Sequence, residues 1–221
     1  MFRSKSRPIV IPQSEHLRLV GATAMLWGNA DFDLPPIEHN SMITGMSQHD
    51  RGYGVLDNDP IGAMREEVWH WIARRGFAMY NSDAVADTIV KYHIRRLATG
   101  SNILERKEMA AEFSQAIDDQ LKQHQLSKEL FDRIDRITDL TDRLSFNFCF
   151  DVPASGSVAV FPRNGEDEEV EIKFHVQDGV IQAWPWPFRV NEYEGYVYAY
   201  HLDGYPEKAD PFVLKYRLEK P

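Results

Sequence analysis

The chain has 221 residues, a length that suits one large domain or one domain with a small appendage, and we expect the second arrangement. Hydrophobic residues make up 43% and charged residues 27%, which is typical of a folded globular protein and excludes a disordered chain. The net charge of −9 disfavours extended nucleic acid as a partner, although Arg95 and Arg96 form a local basic pair.

Two further features predict a cytoplasmic protein. No window approaches about 18 uninterrupted apolar residues, and the basic segment Met1 to Pro8 precedes an apolar run too short for a signal peptide, so we expect no membrane partner. Cys149 is the only cysteine, which excludes an intrachain disulfide. Its neighbours Phe148 and Phe150 predict a buried, inert thiol.

Apolar residues recur at helical spacing over most of the first 150 residues, after the triplet Ile9 to Ile11, which predicts a short strand or an extended arm. Helix start and stop signals divide this part into six or so helices. The predicted helices are Glu15 to Trp27 with Ser14 as cap, Ile37 to Asp50, Ile61 to Arg75 with Asp59 as cap and Pro60 at its start, a helix capped by Asn81 or Ser82 and ended by Gly100, Leu104 to His124, and a last helix that starts near Ser127.

Beyond Asp151 the hydrophobic period changes from 3.6 to 2, which predicts strands. They are Ser157 to Pro162, Val170 to Val176, Val180 to Trp184, Tyr193 to Leu202 and Phe212 to Leu218, and Asp178-Gly179 is a strong hairpin signal among their turns. We therefore predict an α+β protein, with an antiparallel helical bundle in residues 1–153 and a mainly antiparallel β-sheet in residues 154–221, packed on the bundle.

The aromatic segment Trp184-Pro185-Trp186-Pro187-Phe188 ends one of these strands, because its prolines cannot donate ladder hydrogen bonds. It could form a platform for a ligand. The interpretation we favour is a plug between the sheet and its helical neighbour, since aromatic side chains dominate internal packing areas.

His49 and Asp50 are adjacent at the end of the second predicted helix. One imidazole and one carboxylate from a single turn suit a divalent cation, because imidazole favours borderline metals and a carboxylate can ligate or accept a proton. The alternative is an ordinary helix C-terminus, where His49 is favourable at the negative end of the dipole and Gly52 is the stop signal.

Three other side chains could join this pair. His16 lies in the first turn of its helix and His93 lies beside an apolar stripe; taken alone, the first is typical of a surface residue and the second of a core residue. Asp142 enters an apolar helix end, where a carboxylate costs several kcal/mol unless it is paired or binds a metal. Asp135 and Asp139, on the charged half of the same helix, need no such partner.

The sequence contains no phosphate-binding glycine loop, no Gly-x-Ser-x-Gly elbow and no paired Cys-x-x-Cys motif. What remains is His16, His49-Asp50 and Asp142, and their order resembles the HD-domain superfamily of metal-dependent phosphohydrolases. More closely, the chain resembles a bacterial family of HD-like proteins, a domain of unknown function, that adds a C-terminal β appendage. The matching segments are Ser14-Glu15-His16, His49 to Tyr53, Thr141 to Ser145 and Trp184 to Phe188.

The resemblance implies an HD-domain-like bundle in which His16, His49, Asp50 and Asp142 ligate a divalent metal ion, Mn, Fe, Zn, Ni or Mg. In this reading Asp50 is catalytic, since it orients or deprotonates the attacking water. His93 matches a further histidine of some members, as an additional ligand or a phosphate contact. Further phosphate contacts are expected from arginines, whose guanidinium groups match phosphate oxygens. The candidates are Arg51, Arg95 and Arg96.

The function implied is hydrolysis of a small phosphate ester or nucleotide. Two alternatives stay open: a non-catalytic metal or nucleotide sensor with the same ligands, and an interaction protein with a vestigial site. Fold similarity alone does not confer function. The oligomeric state also stays open, with a homodimer as one option.

Overall fold

Helix gives way to strand near Asp151, where the hydrophobic period of the sequence changes. The computed structural model describes residues 1–54, 60–208 and 210–221. It shows a mixed helix and sheet protein, as predicted. Its helices are α1 (Gln13–Leu26), α2 (His39–Met46), α3 (Glu66–Ala78), α4 (Ala84–Thr99), α5 (Leu104–His124) and α6 (Lys128–Phe150), with a 3₁₀ turn at Arg51–Tyr53.

The two longest helices agree best with the predicted bounds. α5 begins and ends at the predicted residues, and Ser127 caps α6 by accepting a hydrogen bond from the backbone N–H of Leu130 at 3.3 Å. The cap of α4 is Asp83, which binds two backbone N–H groups, so the prediction of Asn81 or Ser82 was wrong.

The remaining helix bounds differ from the predictions. α1 begins at Gln13, after Pro12, which places Ser14 inside the helix and not at its cap. α2 ends at Met46, and residues 47–50 form a turn. α3 begins at Glu66 because the chain turns before it at Gly62, whose φ of +87° is incompatible with a helix. The predicted cap Asp59 lies outside the described residues.

One seven-stranded sheet contains β1 (Phe2–Arg3), β2 (Ile9–Ile11), β3 (Ala154–Val160), β4 (Val170–Gln177), β5 (Val180–Trp184), β6 (Glu192–His201) and β7 (Pro211–Glu219). The strand order is β1-β2-β6-β7-β5-β4-β3, and every pair is antiparallel except β5 with β7. At the β4–β5 hairpin Asp178 and Gly179 both have positive φ, 50° and 80°, which confirms the predicted tight turn.

The N-terminal arm belongs to the sheet. β1 and β2 precede the first helix, so the sheet draws on both of the predicted units, residues 1–153 and 154–221. Asp151, which ends α6 with a φ of +56°, fixes this arm: its carboxylate accepts hydrogen bonds from Ser4, Ser6 and Arg7 at 2.6 to 2.7 Å. One hydrophobic core then joins the helices to the inner face of the sheet.

The aromatic segment after β5 is part of that core. Trp186 and Phe188 are buried and make edge contacts, and Phe188 packs edge-on against Trp27 at the end of α1. These contacts favour the plug over the ligand platform. The thiol of Cys149 is buried as predicted, and burial raises its pKa. No helix within the described ranges combines the length and apolarity needed to cross a membrane.

Candidate metal centre

Side chains from three separate segments meet where α1, α2 and α6 pack together. His16 comes from α1, His49 and Asp50 from the turn after α2, and Asp142 from α6. His16 Nε2 lies 3.1 Å from His49 Nε2, and Asp142 Oδ1 lies 3.3 and 3.5 Å from these two nitrogens. Asp50 Oδ2 lies 3.9 and 3.7 Å from the same nitrogens. The structure therefore brings together all four predicted ligands.

The spacing of these four atoms fits one small cation. Ligands at about 2.0 to 2.2 Å from a common centre are about 3.3 to 3.6 Å apart in a tetrahedron and about 2.8 to 3.1 Å apart for neighbours in an octahedron. The five distances given above run from 3.1 to 3.9 Å. His16, His49 and Asp142 are within these ranges, whereas Asp50 Oδ2, at 3.7 and 3.9 Å, would have to move closer to share the same ion.

The backbone orients one of the two facing imidazoles. His49 Nδ1 lies 2.7 Å from the carbonyl oxygen of Met46, which can only accept, so Nδ1 carries a hydrogen and Nε2 is the nitrogen that faces His16 and Asp142. This is the arrangement of a metal-binding histidine whose other nitrogen is held by an outer partner. His16 is wholly buried, and the ring of Phe2 covers it with centroids 4.9 Å apart.

Both carboxylates are held in the ionised form. Burial raises the pKa of Asp142, but hydrogen bonds from His16 and His49 outweigh it and hold the pKa well below its ordinary value. For Asp50, burial acts in the same direction, and the charge of His49 with the hydrogen bond from His93 again lowers the pKa. In turn, burial lowers the pKa of His49 but the two carboxylates raise it overall. The centre therefore presents anionic oxygen beside imidazole nitrogen.

His93 and Gln13 also hold Asp50, one at each carboxylate oxygen. His93 Nε2 lies 3.0 Å from Asp50 Oδ1, and Gln13 Nε2 donates to Asp50 Oδ2. Gln13 is buried in the first turn of α1. Sequence reasoning missed it, because only the position of His16 one turn further along the same helix pointed to this face.

Arg96 is bound within the bundle by residues of α4 and α6. Its guanidinium lies 3.1 Å from Asp135 Oδ1, 2.6 Å from Asp139 Oδ1 and 2.9 Å from His93 Nδ1. Both aspartates are buried, at 8% and 9% exposure, so the expectation that they need no partner was wrong. α4 covers that face of α6, and a buried carboxylate requires a cation beside it.

The other two predicted phosphate contacts are also used within the bundle. Arg51 donates to the carbonyl of Gly76 and pairs with buried Asp87, both within 2.8 Å. Arg95 stacks over Tyr92 with its guanidinium 4.1 Å from the ring centroid. Neither lines the cavity at the centre, and Arg51, Arg95 and Arg96 all have partners within the bundle.

A cavity of about 310 Å³ opens beside Asp50 and Asp142. Among the residues that the structure describes, Arg106 is the only arginine in its wall, and it is paired with Glu66 at 2.5 and 2.8 Å and stacked over Trp69 at 3.6 Å. No sequence pattern pointed to Arg106, because the charged residues of α5 are typical of an outer helix with a solvated face. The other walls of the cavity are largely aromatic and apolar, and include Phe2, Tyr53, Trp69, Leu97 and Phe146.

Gly52 allows the 3₁₀ turn after Asp50 to lie against α3. A Cβ at this position would be 2.3 Å from the carbonyl oxygen of Ile72 and 3.1 Å from the Cα of Gly76. The glycine therefore serves close backbone packing next to the site, and not the helix stop that its position after His49-Asp50 suggested.

Comparisons with known proteins add no relative: no family model matches the chain, and neither a curated protein nor a solved structure is significantly similar to it. The functional inference therefore depends on the site itself. Two overlapping groups, His16 with His49 and Asp142, and His49 with Asp50 and His93, have ligand atoms close enough to hold a divalent cation. Asp50, His93 and Asp142 also line the cavity, which would expose such a cation to a small molecule.

Proposed function

We propose that this protein is a metal-dependent phosphohydrolase with an HD-domain-like helical bundle, acting on a small phosphate ester or nucleotide. The observation that carries the proposal is the convergence of His16, His49, Asp50 and Asp142, with ligand atoms 3.1 to 3.9 Å apart. Buried carboxylates without such a role are costly, which makes a chance assembly of all four unfavourable.

The donor set narrows the cation. Imidazole nitrogen suits Zn, Fe and Ni, while carboxylate oxygen suits Mn and Mg, so a mixed set of two and two fits Mn, Fe, Zn or Ni better than Mg. When bound, such a cation supplies Lewis acidity that activates water and stabilises charge on a phosphate.

The residues of the chain have distinct parts in this chemistry. His16, His49, Asp142 and Asp50 would hold the cation. Asp50 also borders the cavity, so it is placed to orient the attacking water and accept its proton. The aromatic walls formed by Phe2, Tyr53 and Trp69 exclude bulk water and suit an apolar or aromatic group on the substrate.

A second function has an observation of its own. The predicted phosphate contacts Arg51, Arg95 and Arg96 are engaged in the bundle, and the charge of Arg106 is balanced by Glu66. The described wall of the cavity therefore contains no unpaired arginine. This observation favours a sensor, which binds the cation without hydrolysing a phosphate ester. The interaction protein with a vestigial site is the third reading, and the cytoplasmic address and the homodimer stay predictions.

Asp50→Asn tests the leading function, with Asp132→Asn on the outer part of α6 as control. Purified proteins are assayed with a phosphomonoester, a phosphodiester and a nucleotide panel, each with Mn, Fe, Zn, Ni and Mg. We expect turnover in wild type and the control, and a loss of about 10² to 10⁴-fold in Asp50→Asn, the usual range for a general base. Equal turnover in Asp50→Asn contradicts the proposal. Stabilisation by metal without turnover supports the sensor, and neither effect supports the interaction protein.

A further inference from the structure

The proton on the His93 ring can be placed from its neighbours. Arg96 Nη2 lies 2.9 Å from His93 Nδ1, and a guanidinium can only donate, so Nδ1 must accept. Arg96 is itself held by Asp135 and Asp139 on α6, and turning away would break both of these buried ion pairs, although Asp139 would keep Arg143. The neutral ring of His93 therefore carries its hydrogen on Nε2.

This tautomer leaves no lone pair for a cation. The Nε2–H group points at Asp50 Oδ1, 3.0 Å away, and the lone pair on Nδ1 is used by Arg96. Asp142 Oδ2, the next group near Nδ1, is 3.9 Å away and too far for a hydrogen bond. With both nitrogens engaged, the ring can neither ligate a metal nor donate to a phosphate.

The contact divides the two oxygens of Asp50 between different partners. Oδ1 faces His93, while Oδ2 faces the Nε2 atoms of His49 and His16 at 3.7 and 3.9 Å and also accepts the hydrogen bond from Gln13. We infer that His93 is a positioning residue, which holds Asp50 so that only Oδ2 is presented to the cation. This inference rests on the proposed metal site, and it replaces both roles that the sequence suggested for His93.

The series Asp135 and Asp139, Arg96, His93 and Asp50 thus connects the outer part of α6 to the centre through α4. Each member fixes the next by a charge-assisted or directional hydrogen bond. Outer partners of this kind commonly change metal affinity by about 10 to 100-fold when they are removed.

Two substitutions separate positioning from ligation. His93→Gln places an amide N–H near the position of the lost Nε2–H, whereas His93→Leu fills similar space without a donor. Dissociation constants and visible absorption spectra are measured with Co²⁺ for wild type and both variants. We expect His93→Leu to bind about 10 to 100-fold more weakly and His93→Gln to stay within about threefold of wild type, with an unchanged spectrum.

Other results overturn the inference. Equal losses in both variants, with altered spectra, would identify His93 as a ligand. Unchanged affinity in both variants, with only a lower melting temperature, would identify a purely structural residue.

A metal-free measurement decides the tautomer on its own. Long-range ¹H–¹⁵N correlation NMR of the imidazoles in the metal-free protein should show hydrogen on Nε2 of His93 and on Nδ1 of His49. Hydrogen on Nδ1 of His93, or on both of its nitrogens, would overturn the inference. If wild type binds no cation, the proposed function fails, and the tautomer still shows whether His93 orients Asp50.

Discussion

His16 Nε2 and His49 Nε2 lie 3.1 Å apart, although 33 positions separate the two residues in the chain. Asp142 Oδ1 of α6 is within 3.5 Å of both nitrogens, and Gln13 of α1 donates to Asp50 in the same turn. The contact links the first, second and last helical segments, and the proposed function depends on it.

Gly52→Ala should destabilise the protein and weaken the centre. Its Cβ would lie 2.3 Å from the carbonyl oxygen of Ile72, so the turn that carries Asp50 must move away from α3. We expect a loss of about 1 to 3 kcal/mol in the free energy of unfolding, the usual cost of overpacking. Urea denaturation measures it. Gly54→Ala is the matched control, because among the described residues its Cβ would meet only the carbonyl of Arg51, at 3.5 Å. An equal loss in both variants would contradict this account.

Arg51→Met should cost stability and leave substrate binding unchanged. The substitution removes one cationic partner of buried Asp87, while Lys91 remains 2.7 Å from it. We therefore expect a loss of about 3 kcal/mol in the free energy of unfolding. Chemical denaturation measures the free energy of unfolding. KM for any phosphate ester that is turned over reports on substrate binding.

Arg95→Met is the control for this prediction. Arg95 stacks on Tyr92 and lies 3.9 Å from the half-exposed Asp132, so its loss should cost less than about 1 kcal/mol. A large rise in KM for Arg51→Met at unchanged stability would restore Arg51 as a phosphate contact.

Asp151 should make the N-terminal arm sensitive to acid. Burial raises the pKa of Asp151, but hydrogen bonds from Arg7, Ser6 and Ser4 outweigh it and lower the pKa overall. A lowered folded-state pKa stabilises the fold above the unfolded value, about 3.9, and this stabilisation is lost as the pH falls through the folded-state pKa.

The test is the melting temperature of Asp151→Asn and wild type between pH 7 and pH 3. Asparagine tolerates the positive φ of 56° at this position, so backbone strain does not enter. We expect the variant to melt lower at pH 7 and the difference to shrink below about pH 4. Arg7→Met should remove the same pH-dependent part. A difference that stays constant across this range would show that the charge of Asp151 contributes nothing.

Local periodicity predicted the long elements and failed where a turn interrupts it. Both predicted bounds of α5 and the predicted start of α6 agree with the structure, because the apolar residues of these helices recur without a break. The predicted start of α3 at Ile61 was too early, because hydrophobic spacing alone does not reveal the positive φ of Gly62. β1 was not predicted at all, since the two residues Phe2–Arg3 carry no period of their own.

The candidate site was predictable only in part. His16, His49, Asp50 and Asp142 could be named from their order along the chain. Gln13 and Arg106 could not, because their roles depend on which helices approach each other. The same reason explains the error over Asp135 and Asp139, which look solvated until Arg96 of α4 is placed over them.

The most direct test of the proposed centre is the cation content of wild type, Asp142→Asn and Asp132→Asn. Asp142 and Asp132 lie on the same helix, but only Asp142 is at the centre, while Asp132 is half exposed. Each protein is dialysed against a mixture of Mn, Fe, Zn and Ni and measured by elemental analysis. The account predicts about one divalent ion per chain in wild type and Asp132→Asn, and almost none in Asp142→Asn. Equal metal content in all three proteins, or none in wild type, would contradict it.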